Sequence, residues 1–216
     1  MSWYYNLKIS AKLFIGFFIV ALIAGAVGIV GIVNIRSTDQ KYSDLYEQYG
    51  IALGDIGNAS TDFQITRNLT RSIIIEKGND SAGNLDKIKQ YDKEIDDYLA
   101  AFQKNIKTQE VQNEFNNLKT LLEKYRPIRD RITNLAVTNH VEQAIVLMNS
   151  DGAPVANSIE QSIKKLVDSK TTIGRQKSNE YSNSTNDTVV LMIIIILIAM
   201  IAAVALGIFI SRIINK

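Results

Sequence analysis

Residues 189–210 read VVLMIIIILIAMIAAVALGIFI, 22 residues without one charge or amide. A bilayer core of about 30 Å is crossed by about 20 helical residues rising about 1.5 Å each. The run is therefore long enough to span, and a helix satisfies its own backbone hydrogen bonds where no water can. A soluble core helix of this length would normally carry a polar face, and this one has none. Residues 13–33, LFIGFFIVALIAGAVGIVGIV, form a second uncharged run of 21. Lys8 and Lys12 before it suit a signal peptide, but the apolar part is too long and no clear A-x-A site closes it. The reading is an uncleaved anchor helix, with Trp3, Tyr4 and Tyr5 at headgroup level.

Charge divides the chain in the same way. All 22 acidic residues and most of the basic ones lie between the two runs; only Lys8, Lys12, Arg212 and Lys216 flank them. The positive-inside rule then places both ends in the cytoplasm. The expected division is 1–12 cytoplasmic, 13–33 transmembrane, 34–187 outside the membrane, 188–210 transmembrane and 211–216 cytoplasmic. The net charge of +2 gives no sign of nucleic-acid binding, and the lack of cysteine excludes disulfides and thiolate chemistry. Ala21 with Gly25, Ala24 with Gly28, and Ala199, Ala203 and Gly207 have small-xxx-small spacing. It suits close helix approach, although small residues are common in membrane helices generally.

The outer segment has helical periodicity throughout. Leu85, Ile88, Tyr91, Ile95, Tyr98, Phe102 and Ile106 recur at steps of three and four. So do Val111, Phe115, Leu118, Leu122, Tyr125, Ile128, Ile132 and Leu135. These are the stripes of bundle helices, and no alternating strand pattern competes. Breaks fall at the turn cluster 78–84, near 107–110 and at Asp151-Gly152. Four helices are expected: the first span to about 77, then about 85–107, about 110–149, and about 153 into the second span. Pro127 should kink the third, and Asn139-His140 can interrupt it. The fold class is all-α, an antiparallel four-helix bundle whose first and fourth helices are continuous with the spans.

Enzyme chemistry has no foothold. His140 is the only histidine, so a Ser-His triad or a histidine metal site cannot form within one chain. Asp92, Glu94, Asp96 and Asp97 spread around a helix among lysines, which suits a solvated face better than a calcium loop. No glycine-rich phosphate loop is present, and neither cofactor nor metal is expected. The chemistry that stands out is Arg67 and Arg71, one turn apart on one helix face with Asn68 at the flank. Two guanidiniums can hold a carboxylate, or they can be surface residues paired with acids of a neighbouring helix.

The opening Asn6-Leu7-Lys8-Ile9-Ser10-Ala11-Lys12-Leu13 with Gly16-Phe17, and Val27-Gly28-Ile29-Val30-Gly31-Ile32, resemble the start of methyl-accepting chemotaxis receptors. The layout of two spans around a four-helix sensor bundle is similar too. Gly207-Ile208-Phe209-Ile210-Ser211-Arg212-Ile213-Ile214 looks like the junction into a HAMP domain. The bundle alone also recurs in histidine kinases and cyclases. The resemblance implies a dimeric receptor of a prokaryotic inner membrane that binds a small extracellular molecule and signals through its second span.

In aspartate-sensing members, arginines of the first outer helix grip the ligand carboxylates. Thr66-Arg67 and Arg71-Ser72 resemble that stretch, although the spacing is one residue shorter and a third arginine would fall at Ile75. The ligand class therefore stays open, with an amino or organic acid as one candidate. The family pocket lies at the dimer interface, between the first helix and the start of the fourth, which points to Asn157, Ser158 and Gln161. The methylated glutamates and kinase-coupling tip belong to a cytoplasmic hairpin that is not in this sequence. The expectation is a sensory part of a longer receptor or a short relative, with cytoplasmic signalling partners only in the former. A membrane-tethered interaction protein without a ligand is the remaining alternative.

Overall fold

The computed structural model describes residues 8–79 and 81–214, the last two without their side chains. Trp3, Tyr4, Tyr5, Asn6, Leu7, Asp80 and Lys216 lie outside the described residues. The elements are α1 (Ile9–Leu45), a π turn (Tyr46–Ile51), α2 (Ala52–Ile75), α3 (Ser81–Lys104), α4 (Gln109–Val137), α5 (Val141–Leu147), a second π turn (Met148–Gly152) and α6 (Ala153–Ile214). No strand occurs among the described residues. The chain divides into two compact units, residues 44–177 and residues 1–43 with 178–216.

The unit 44–177 is the bundle. Its main core draws Ile56 and Phe63 from α2, Ile95, Leu99 and Phe102 from α3, Phe115, Leu118 and Leu122 from α4, and Ile159 and Leu166 from α6. Phe102 stacks on Phe115 at 5.8 Å between centroids, and Phe63 meets Tyr125 edge-on at 5.2 Å. A smaller cluster holds Ile73, Ile74, Ile88, Ile132, Ala136 and Ala144.

The heptad stripes found these layers with one shift of phase. Beyond Tyr125 the buried positions of α4 are Arg129, Ile132, Thr133 and Ala136, while Ile128 and Leu135 are only half-buried. Arg129 is 4 % exposed because Asp92 of α3 grips it with two bonds, Nη1 to Oδ1 at 2.7 Å and Nη2 to Oδ2 at 2.8 Å. Burial disfavours the charge, but the bonds from Asp92 and Asp130 outweigh it and hold the guanidinium above its ordinary value. Arg126 clasps Asp96 beside this pair at 2.8 Å. The acidic run of α3 is therefore not a solvated face throughout: two of its members clamp α3 to α4.

Helix ends follow local chemistry. Thr108 caps α4, its side chain accepting from the Val111 amide at 3.4 Å. Gly78 ends α2 in a left-handed conformation, φ 76°, where its N–H reaches Ile73 O at 2.9 Å. A Cβ there would also lie 2.6 Å from the Val137 Cα, so glycine is required twice over. Asn139, φ 65°, ends α4 in the same conformation, and the His140 amide reaches back to Leu135 O at 2.8 Å. The interruption expected at Asn139-His140 thus separates α4 from the short α5. His140 precedes α5, exposed, with its Nδ1 3.1 Å from Thr138 Oγ1. Pro127 lies within α4, which runs through it unbroken from Gln109 to Val137. α3 begins at Ser81, four residues earlier than the turn cluster suggested; Gly83 costs a first turn only about 1 kcal/mol.

Neither π turn is visible in the sequence. The second joins α5 to α6 without leaving the helix, so the break expected at Asp151-Gly152 is absent and the turn before the last bundle helix falls at residues 138–140 instead. The first is held by Lys170 of α6, which is 2 % exposed. Its ammonium donates to Gln48 O at 3.2 Å and to Asn105 O, and lies 5.4 Å from the ring centres of both Tyr49 and Phe102. Burial, with Lys107 adding to it, pulls this ammonium down to about 8.

In the other unit, the helical residues 9–43 and 178–214 carry the two apolar runs. Almost nothing of either apolar window is buried: 6 % in one and none in the other. That excludes the core-helix reading within this chain and suits helices whose apolar sides meet lipid. Gly16 receives the Ile210 side chain, and Gly31 faces the Met192 methyl. Among the described residues nothing from another helix lies within 4 Å of where a Cβ would stand on Gly25, Gly28 or Gly207, so within the chain close approach falls at Gly16 and Gly31 instead. Lys41 donates to Ser184 Oγ at 2.8 Å and lies over the Tyr181 ring.

Candidate functional site

α2 presents Thr66 and Thr70 to the core, both tied back to their own helix through Phe63 O and Thr66 O at 2.8 Å each. That phase puts Arg67 and Arg71 at the edge of the core. Both line a cavity of about 60 Å³, closed by Tyr125 of α4, by Met148 and Asn149 of the second π turn, and by Ala153 and Ala156 of α6. The volume admits a small polar head rather than a drug-sized molecule. The π turn brings Gly152 into this wall, with Ile132 packed against it.

The two arginines differ in their partners. Arg67, its side chain 12 % exposed, is ion-paired to Glu160 of α6. Gln64 joins the pair, donating to Glu160 Oε1 at 2.7 Å and accepting from Arg67 Nη1 at 3.1 Å. The Arg67 guanidinium lies 5.8 Å from the centre of the Phe63 ring. Burial, and secondly the charge on Arg71, pull Arg67 below its ordinary value. An arginine so shifted is still a cation at neutral pH. Arg71 is exposed and donates to Asn68 Oδ1 at 3.2 Å; among the described residues no carboxylate pairs with it. Burial pushes the Tyr125 phenol up, so it stays neutral and able to donate or accept.

Of the six residues singled out from the sequence, the structure brings Arg67 and Arg71 to one cavity. Asn68 is exposed and positions Arg71 rather than lining the space. Asn157 and Gln161 are exposed, and the Ser158 hydroxyl is turned to Pro154 O at 3.0 Å. None of these three lines the cavity. The cause is rotational phase: the buried face of α6 runs through Ala156, Ile159 and Ile163, which leaves Ala153, Ala156 and Glu160 on the side facing Arg67. Sequence reasoning missed Glu160, Asn149 and the wall role of Tyr125. Tyr125 was visible only as a core position of its stripe, and no local signal ties Glu160 to a residue 93 positions away.

Among the described residues no group of acidic, histidine or cysteine side chains could hold a metal ion. The cavity's polar lining of arginines, a phenol and an amide suits an anion held by charge-assisted bonds.

A four-helix core whose chain also carries two helices long and apolar enough to cross a membrane defines a sensory bundle. The chain belongs to the family described as "four helix bundle sensory module for signal transduction", whose model matches residues 6–185. It is also 25 % identical over 147 residues to a protein of Acetivibrio thermocellus provisionally named a sensory transducer protein. That match covers 68 % of this chain and 26 % of the relative, so the chain spans about a quarter of the relative's length. No solved structure matches the chain. The family and the two apolar helices together make it a membrane protein of signal transduction.

Proposed function

We propose that the chain is the sensory part of a transmembrane chemotaxis-type transducer. In this reading the bundle lies outside a prokaryotic plasma membrane and binds a small carboxylate-bearing molecule, such as an amino or organic acid, at Arg67 and Arg71. The observation that carries the reading is Arg71, a guanidinium at the rim of a cavity with no carboxylate partner among the described residues, one turn from a second guanidinium. A carboxylate bridging the two gains charge-assisted bonds of about 1.5–3 kcal/mol each and relieves their mutual repulsion. A ligand shifts a receptor only by preferring one of its states. Here the preference acts on the seam between α2 and α6, and α6 itself carries the apolar run 189–210. The working unit is a homodimer, since spans of this kind help hold protomers together.

The test is a thermal-shift screen of amino and organic acids on the full chain in nanodiscs. At a hundredfold excess over its dissociation constant a ligand stabilises by about 2.7 kcal/mol, which raises the melting temperature by several degrees. Arg71→Ala should abolish that rise with little change in baseline stability, because an exposed arginine contributes little. Arg67→Ala should abolish it as well. A carboxylate whose shift survives both substitutions would place binding elsewhere.

The orientation rests on the flanking basic residues: Lys8 and Lys12 precede the first apolar run and Arg212 and Lys216 follow the second, so one side of the membrane holds all four in this reading. A cysteine introduced at Asn84, in the first turn of α3, should react with an impermeant thiol reagent on intact cells. Reaction only after lysis reverses the topology.

A further inference from the structure

We propose that Glu160 is a built-in competitor for the ligand: its carboxylate occupies Arg67 in the unliganded bundle and must leave when an external carboxylate enters. The inference rests on the carboxylate reading of the Arg67–Arg71 cavity and concerns how that site is regulated.

Three features carry it. Arg67 is nearly buried, so its guanidinium needs an anionic partner in every state of the bundle. Glu160 is the partner present, yet its side chain is 39 % exposed. It can turn into water and be solvated there, so release costs the carboxylate far less than it would cost a buried one. Gln64 bridges the two, with one end of its amide on each, and can keep hold of Arg67 after Glu160 has gone. The cavity touches Arg67 and Arg71 but is not lined by Glu160, so an incoming carboxylate competes with Glu160 for the charge and N–H donors of Arg67 rather than for the space Glu160 fills.

The exchange has a mechanical consequence. Before it, Arg67 and Gln64 of α2 both hold Glu160 of α6. After it, Arg67 and Arg71 share a ligand, and that tie between the two helices is lost. The ligand's net affinity is then the difference between its hold on the arginines and Glu160's, which keeps the site responsive at high rather than trace concentrations. It also makes loss of this one tie between α2 and α6 part of binding, which is the differential affinity that coupling requires.

The experiment is a titration of the full chain in nanodiscs with acetate and with succinate, against chloride at matched ionic strength, for the natural chain, Glu160→Gln and Glu160→Asp. Glu160→Gln removes the competing charge; Glu160→Asp keeps the charge but shortens its reach by one methylene. Circular dichroism checks that each chain is folded, and the aspartate variant serves if the glutamine variant is not. The expected result is binding at least tenfold tighter to Glu160→Gln, with Glu160→Asp also tighter than the natural chain. Affinities equal to or weaker than the natural chain's in folded variants overturn the competition while leaving the carboxylate site standing. No binding of either anion to any of the three chains overturns the carboxylate reading and the competition with it.

Discussion

Asp92→Ala will destabilise the bundle by about 3 kcal/mol, as much as the loss of a large core side chain. The residue looks dispensable, since it lies in an acidic run among lysines. Its two bonds to Arg129 are what make it costly. Removing Asp92 strands a guanidinium that is 4 % exposed, with only the outward-facing Asp130 left to pair with it. Asp96→Ala is the control, because Asp96 is mostly exposed and its pair with Arg126 is worth at most about 1 kcal/mol. The double change Asp92→Ala with Arg129→Met should regain most of the loss, as an apolar side chain of similar length fills the site without a charge to compensate. Chemical denaturation of the four chains checks this. Equal stability of Asp92→Ala and Asp96→Ala would show that the α3–α4 clamp contributes nothing beyond a surface pair.

Phe102→Ala should cost about 3–5 kcal/mol, through lost transfer energy and the cavity left behind. Phe102 is fully buried, stacks on Phe115 and lies beneath the Lys170 ammonium. The alanine variant therefore loses an aromatic contact and one face of the cage that holds a buried cation. Phe102→Leu keeps most of the apolar volume and should cost clearly less. If the two substitutions cost the same, packing volume is not what holds this layer. If Phe102→Ala costs less than about 1 kcal/mol, the layer has collapsed around the gap and the core is looser than the geometry implies.

These two predictions mark what could and could not be read from the chain alone. Phe102 belongs to a stripe of period 3.5, and most of both stripes falls on the core because apolar side chains at that spacing share one helix face. The two apolar runs were equally plain, since length and lack of charge are local properties. Arg129 was not legible. It takes a heptad position that Ile128 and Leu135 seemed to hold, and it can do so only because an aspartate on another helix meets it. The π turns at Tyr46–Ile51 and Met148–Gly152 were also hidden, because their extra residue is stabilised by tertiary partners such as Lys170 rather than by any turn motif.

The candidate site divides along the same line. Arg67 and Arg71 stood out because an i, i+4 pair is a local fact. The choice of Asn157, Ser158 and Gln161 rested on where the fourth helix begins, which fixes height along the bundle but not rotation about the helix axis. Around the α6 axis Asn157, Ser158 and Gln161 lie about 60°, 160° and 100° from Glu160, and Asn157 and Gln161 are exposed. Glu160 decides whether Arg67 is available, and only the packed helices reveal it.

In this reading a carboxylate is held by Arg67 and Arg71 together. The most direct measurement is the arginine side-chain NMR spectrum of the full chain in nanodiscs, titrated with a carboxylate that raises the melting temperature. The guanidinium resonances of Arg67 and Arg71 should shift together and saturate at the dissociation constant given by the thermal data, while those of Arg126 and Arg129 stay in place. A stabilising carboxylate that moves neither Arg67 nor Arg71 would contradict the account.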